Sequence, residues 1–216
     1  MTIVELRQYT LVPGGRDTLV ALFDRHFVES QEAEGMRIVG QFRDLDRPER
    51  FVWVRAFPSM ERREPALTAF YTGPVWKEHS AAANATMVDV DDVLLMRAVQ
   101  PFPAPASRDT APPPGRIVVA GLCPLPGPAS YAGEFDRVLR PRLGVPVLGT
   151  AQTIHEPNDF PALPVREGED VFVFFASVPD SEVDAFAARV AGLGTDGLAG
   201  PVGLLRLAPT PRSALR

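Results

Sequence analysis

The chain has 216 residues, 45% hydrophobic and 23% charged, with a net charge of -5. A chain of this length can bury roughly 70% of its unfolded surface, and its interspersed charges contain no Lys/Arg block that would track phosphates, so nucleic acid is excluded as a partner. No apolar run approaches the roughly 20 residues that cross a bilayer and the N-terminus enters a strand directly, which together point to a cytoplasmic protein with no membrane partner.

The opening stretch Val4-Glu5-Leu6-Arg7-Gln8-Tyr9 alternates. In an extended strand it places Val4 and Leu6 on one face and Glu5, Arg7 and Tyr9 on the other. Gly14 and Gly15 make a turn, and the spacing of Leu19, Leu22, Phe23 and Phe27 predicts a helix from about Arg16 to Ser30. Met36 to Phe42 and Phe51 to Phe57 read as a hairpin joined at Asp44–Pro48. A second helix opens at Pro58-Ser59, breaks at Gly73-Pro74 and resumes through Trp76 to about Asn84. Met87 to Val99 is the next strand, entered through an acidic turn at Asp89, Asp91 and Asp92.

The order strand, helix, strand, strand, helix, strand is the ferredoxin-like arrangement. A proline-rich stretch at 101–115 follows, read as an extended connector. The pattern then repeats: Ile117 to Cys123 as a strand, Pro124-Leu125-Pro126-Gly127 echoing Leu11-Val12-Pro13-Gly14, Phe135-Asp136-Arg137 echoing Phe23-Asp24-Arg25, and glycines at 144 and 149 echoing Gly35 and Gly40. Val171 to Val178 repeats the aromatic strand, Ser181-Glu182-Val183-Asp184 reads as a capping box, and Val202 to Leu207 closes the second unit. The predicted organisation is a tandem duplication, with one unit at 1–100, the linker at 101–115, a second unit at 116–208 and a tail at 209–216. Laying the two Pro-Gly turns on each other sets Glu5, Arg7 and Tyr9 against Val118, Ala120 and Leu122, so the polar face belongs to the first unit alone. The second hairpin carries a long loop from His155 to Gly168, the kind that often closes over a site.

The segments Glu5-Leu6-Arg7-Gln8-Tyr9, Pro13-Gly14, Phe51-Val52-Trp53-Val54-Arg55-Ala56-Phe57, Ser59-Met60-Glu61-Arg62-Arg63 and Trp76 resemble the NIPSNAP family of the dimeric α+β barrel superfamily. The resemblance is good over residues 3 to 99 and weaker over 116 to 208. It implies an α+β fold in which two tandem ferredoxin-like βαββαβ units pack sheet against sheet around a cavity, with helices outside. Closure within one chain, by homodimerisation, or by both remain open. The superfamily includes cofactor-free monooxygenases, haem-degrading enzymes, isomerases, cyclases and proteins with no assigned chemistry, and fold alone does not select among these.

If the helices take the apolar sheet face, Glu5, Arg7, Tyr9, Trp53 and Arg55 point into the barrel. Charges there must pair or bind a polar ligand, which leaves a structural network and a ligand clamp as two compatible readings. In the network, Glu5 and Arg7 or Arg55 satisfy each other; in the clamp, Arg7 and Arg55 hold negative charge, Tyr9 donates a hydrogen bond or a proton, Trp53 forms a wall, and Glu5 belongs to the same binding face. His79 and His155 are the proton-carrier candidates, and His26 is read as a packing residue. No histidine pair has metal-ligand spacing, so no metal and no organic cofactor are expected. Gly192-Leu193-Gly194-Thr195-Asp196-Gly197 has dinucleotide-motif letters but follows a helix and precedes a strand, the reverse of what that motif requires. Cys123 reads as a buried structural thiol, and Trp76 as core.

The expected function is a cofactor-free enzyme acting by acid/base chemistry (isomerisation, cyclisation or rearrangement) on a small carbonyl-bearing or aromatic metabolite. The high proline, alanine and arginine content fits a high-GC bacterium, where such barrels often serve biosynthesis. The alternatives are a non-catalytic binding or interaction protein, and a monooxygenase or haem-dependent oxidation in which His79 or His155 would ligate iron.

Overall fold

A strand with an apolar and a polar face can be buried on both sides only if each face meets a matching partner. β1 (Ile3–Leu11) meets that condition at the centre of the first half. In the computed structural model, which describes every residue except Pro105, Ala106 and Asp196, β1 leads through α1 (Gly15–Leu22), a π-helical turn (Phe23–Phe27) and α2 (Val28–Ala33) to β2 (Arg37–Asp44). β3 (Arg50–Phe57), α3 (Met60–Thr72), α4 (Pro74–Asn84) and β4 (Met87–Gln100) complete the first set. The second set comprises β5 (Arg116–Pro124), α5 (Ala132–Glu134), a second π turn (Phe135–Leu139), α6 (Arg140–Leu143), β6 (Val147–Thr153), β7 (Val171–Pro179), α7 (Val183–Ala191) and β8 (Gly203–Pro209).

Each set has the antiparallel ferredoxin-like strand order, 4-1-3-2 and 8-5-7-6, and the edges join at β2–β8 and β6–β4 to close an eight-stranded barrel. Closure therefore needs no second chain. No helix among the described residues is long and apolar enough to cross a membrane.

The barrel interior is filled. Val4, Leu6, Val52, Val54, Leu94 and Met96 from the first half pack against Val118, Ala120, Val173, Phe175 and Leu207 from the second. An eight-stranded barrel is just wide enough for its inward side chains to meet, and apolar residues on both walls occupy the space where a cavity is expected. This reverses the predicted facing: the apolar side of β1 looks inward, and Glu5, Arg7 and Tyr9 look out beneath the helices. Tyr9, Trp53 and Phe57 accordingly pack with Phe23, Phe27, Leu67 and Phe70 of the helical layer.

Two equivalent β-bulges, one within each half, show how the repeats correspond. Gly40 shifts β2 against Val54 of β3, and Gly149 shifts β6 against Phe175 of β7. Because Leu6 pairs with Val54 and Ala120 with Phe175, Leu6 corresponds to Ala120. The counterparts of Glu5, Arg7 and Tyr9 are then Val119, Gly121 and Cys123, one residue from the alignment that the Pro-Gly turns predict. A one-residue slip exchanges the faces of a strand. Gly14 takes a left-handed φ of 76° just ahead of α1, whereas Gly127 belongs to a longer connection before α5, so the two turns are not equivalent. The polar face is still confined to the first half, since Val119 and Cys123 pack into the second helical layer and burial pushes the Cys123 thiol up to about 12.

Other expectations shift by smaller amounts. Asp89, Asp91 and Asp92 lie within β4 rather than in a turn, across from an irregular register on β1. The capping box at Ser181 does not form: a 3-10 turn precedes α7, and no side chain caps that helix. Parts of the linker and the tail enter the core, with Phe102 against Gly149 and Leu215 against Gly40 inside the barrel. Pro105 and Ala106 of the linker, and Asp196 of the glycine motif, lie outside the described residues; the rest of that motif follows α7 and precedes β8, as read from the sequence.

Gly121 has a specific steric role. A Cβ built there would lie 2.1 Å from the ring of Phe174, which is fully buried. Overpacking of this kind costs about 1–3 kcal/mol, so Gly121→Ala is expected to lower the urea midpoint of unfolding correspondingly, with an unchanged m-value.

Candidate functional site

Three cross-strand relationships assemble the polar cluster. Glu5 lies opposite Arg55, Arg7 opposite Trp53, and Tyr9 opposite Phe51 on β1 and β3, so the side chains share the face covered by the helices. Glu5 Oε2 accepts from Arg7 Nη1 at 2.8 Å and from Arg55 Nε at 2.7 Å, and Oε1 accepts from Arg63 Nε at 2.7 Å. Arg63 descends from α3, and Gln31 descends from α2 to accept from Arg55 Nη1 at 3.3 Å. Glu5 and all three arginines are fully buried. Burial alone would raise the Glu5 pKa, but the guanidiniums of Arg55, Arg7 and Arg63 outweigh it and hold the carboxyl far below its ordinary range.

The guanidiniums lie on aromatic rings. Arg7 Cζ is 5.4 Å from the Tyr9 ring centroid and 5.7 Å from that of Trp53, while Arg55 Cζ is 5.0 Å from Trp53. Such contacts retain part of the cation's stabilisation away from water. Even so, one carboxylate faces three cations, and the Nη2 atoms of Arg7, Arg55 and Arg63 have no hydrogen-bond partner.

Beside this cluster lies a cleft of about 90 Å3 between the sheet and the helices. The sheet contributes Tyr9 of β1, Trp53 of β3, and Met87 and Val90 of β4; Phe23, Phe27 and Gln31 come from the π turn and α2, and Tyr71 and Trp76 from α3 and α4. Leu163, from the segment joining β6 and β7, also lines it. Tyr9 Oη accepts a hydrogen bond from Arg7 Nε at 2.9 Å, so its own proton is directed elsewhere. Burial raises the Tyr9 pKa, against the opposing pull of Arg7, so the phenol stays protonated at neutral pH and is available as a donor. Trp53 Nε1 is a second buried donor without an acceptor.

The structure thus brings Glu5, Arg7, Tyr9, Trp53 and Arg55 together, on the helix side of the sheet. The two histidines lie elsewhere. His79 stacks on His26 with ring centroids 3.7 Å apart and does not line the cleft; desolvation, followed by the neighbouring His79 and Arg25, lowers the His26 pKa. His155 pairs with Asp170 at 2.8 Å and borders a separate hollow with Glu156, Arg166 and Glu167. No group of three or more His, Cys, Asp or Glu among the described residues could hold a metal.

Sequence reasoning missed Arg63, Gln31, Tyr71 and Asp159. Arg63 sits in the run Glu61-Arg62-Arg63-Glu64, which reads as a solvated helix face, and only the docking of α3 over Glu5 buries it. Trp76, assigned to the core, stands half-buried in the cleft wall between Phe27 and Tyr71.

Residues 4–100 match the NIPSNAP family model. Over these residues the chain is similar to the NIPSNAP family. Over nearly the whole chain the fold is similar to a candidate monooxygenase from Lactobacillus acidophilus (TM-score 0.62, 13% identity, 99% of this chain and 96% of the other). It is also similar to one from Fusobacterium nucleatum (TM-score 0.60, 9% identity, covering 96% and 92%) and to an anthrone oxidase-like protein (TM-score 0.54, 11% identity, covering 99% and 93%). At these identities the likeness establishes the shared barrel. No curated protein matches the sequence. Within residues 4–100 the polar cluster around Glu5 draws on β1, β3 and α3, and the cleft draws on the same layer together with Leu163.

Removing one partner of a buried ion cluster costs about 3–5 kcal/mol because the others stay charged and buried. Glu5→Gln is therefore expected to lose that much stability in urea unfolding. The folded pKa of Glu5 lies below its ordinary value of 4.5, so its contribution is complete above that pH and shrinks as pH falls below it. Wild-type stability should decline there more steeply than that of Glu5→Gln, measured by melting temperature against pH.

Proposed function

We propose that the chain is an enzyme that binds a small planar carbonyl compound in the aromatic cleft and takes it through its enol without an organic cofactor. The observation that carries this reading is the pair of donors on one wall: Tyr9, whose oxygen is occupied by Arg7, and Trp53, whose indole N–H has no acceptor. Apolar walls with a few directed polar groups are the usual form of a small-molecule site. Donors aimed at a carbonyl oxygen stabilise the negative charge that develops on it as an enol or enolate forms.

Tyr9 is the general acid in this scheme. Its proton moves to the carbonyl oxygen while Arg7 Nε holds the phenolic oxygen, and the adjacent guanidiniums favour any anionic character that develops. Among the described residues the cleft wall contains no carboxylate or imidazole, so the α-proton passes to water, which returns a proton to the Tyr9 oxygen. This balance of groups favours rearrangement or cyclisation through a polarised carbonyl over chemistry that begins with a strong base. The rival reading, a binding protein without turnover, predicts the same affinity pattern and no exchange of substrate hydrogens.

Both tryptophans of the chain line the cleft, so intrinsic fluorescence reports its occupancy. Acetophenone should bind more tightly than ethylbenzene, and Tyr9→Phe or Trp53→Phe should each remove about tenfold of that preference, the worth of one buried neutral hydrogen bond. Mass spectrometry in D2O should show wild-type protein accelerating α-hydrogen exchange of acetophenone, with Tyr9→Phe abolishing the acceleration. Binding without exchange would leave only the carrier role, and equal binding of the two probes would remove the donor site.

A further inference from the structure

Residues 154–170, between β6 and β7, come from the second half of the chain but lie on the first. Their ends are pinned to β4, Ile154 N donating to Leu95 O at 3.1 Å and Arg166 N donating to Val93 O at 2.9 Å. The tip between those anchors reaches the polar cluster and the cleft. Asn158 Oδ1 accepts from Arg63 Nη1 at 3.1 Å, and the Asp159 carboxylate pairs with the same nitrogen. Phe160 lies face to face with Tyr71, ring centroids 6.0 Å apart and planes 26° apart.

Consecutive residues thus place a carboxylate on a buried guanidinium and a phenyl ring on a wall of the cleft. The Arg63 side chain is fully buried while Asp159 is 27% exposed, so Asp159 stands between the arginine and solvent. Counting Asp159, the cluster still has one more cation than carboxylates, and three Nη2 atoms remain unpartnered. An unpaired buried cation is unfavourable by several kcal/mol, and the chemistry that relieves it is an incoming anion able to accept from more than one guanidinium.

We propose that the site takes an aryl-substituted carboxylate, and that Asp159-Phe160 occupies its place when no ligand is bound. The ligand's carboxylate replaces that of Asp159 on Arg63 and gains the unpartnered Nη2 groups, while its ring replaces Phe160 on Tyr71. The anchored ends of the segment stay on β4 as the tip swings out. This assignment rests on reading the cleft as a ligand site, and it adds the charge and shape of the ligand.

The probes are 3-phenylpropionate and its uncharged amide, titrated by tryptophan fluorescence. Wild-type protein should prefer the carboxylate. Asp159→Asn, which weakens the internal competitor, should tighten carboxylate binding about tenfold and leave the amide within twofold, and Arg63→Met should abolish the preference. If Asp159→Asn is unstable on its own, 3-phenylpropionate should raise its melting temperature by several degrees more than the amide does. An unchanged carboxylate-to-amide ratio in Asp159→Asn, or a preference that survives Arg63→Met, overturns the assignment. Acetophenone binding separates the two claims: if it keeps its dependence on Tyr9 while the carboxylate preference is absent, the aryl-carboxylate assignment alone falls, and if neither probe class binds, both fall.

Discussion

The structure of the first half depends on a single carboxylate. Glu5 accepts from three guanidiniums that arrive from β1, β3 and α3, and without it three cations would lie together in a layer closed to water. That requirement fixes several things at once. It orients β1 with its polar side toward the helices, holds α3 against the sheet through Arg63, and aligns Arg7 so that its Nε reaches Tyr9. The packing of the layer and the electrostatics of the cleft are therefore one arrangement, and a change at Glu5 acts on both.

The second half shows what the same topology does without such a cluster. At the positions of Glu5, Arg7 and Tyr9 stand Val119, Gly121 and Cys123, and the room left by Gly121 is taken by the ring of Phe174. Phe135, Phe172 and Phe174 then fill the layer that stays open in the first half. The two π turns, at Phe23–Phe27 and Phe135–Leu139, sit at matching places, and only the first lines the cleft. Duplication supplied the closed barrel, and the difference between its halves concentrates polar chemistry on one side of one sheet.

Function and architecture meet at the junction between halves. The barrel interior, packed by both walls, is structural, whereas the cleft lies outside the sheet under helices that belong to the first half. The second half contributes to it through the segment carrying Asp159, Phe160 and Leu163. That segment complements Arg63 and covers the aromatic wall, which ties occupancy of the cleft to a contact between the two repeats. Donors are abundant there and proton acceptors scarce, and this imbalance suits a ligand that brings its own negative charge or develops it during reaction.

Much of this was legible in the sequence. The strand and helix periods, the repeated glycines at 35/40 and 144/149, and the alternation in Val4–Tyr9 are local features, and they determined the elements, the duplication and the restriction of the polar face to one half. The resemblance of residues 3 to 99 to the NIPSNAP family fitted the same architecture. The direction in which that face points was not determined, because period-two alternation separates two faces without saying what covers each, and in a closed barrel wrapped by helices both are buried. The alignment of the repeats failed by one residue for a related reason: a turn motif can slide along the chain, while the register between strands is set by bulges that only pairing reveals. Arg63 and Asp159 were hidden in charged segments resembling ordinary surface. Burial of a charge depends on what docks over it, so tertiary structure alone decided that these two residues complete the cluster around Glu5.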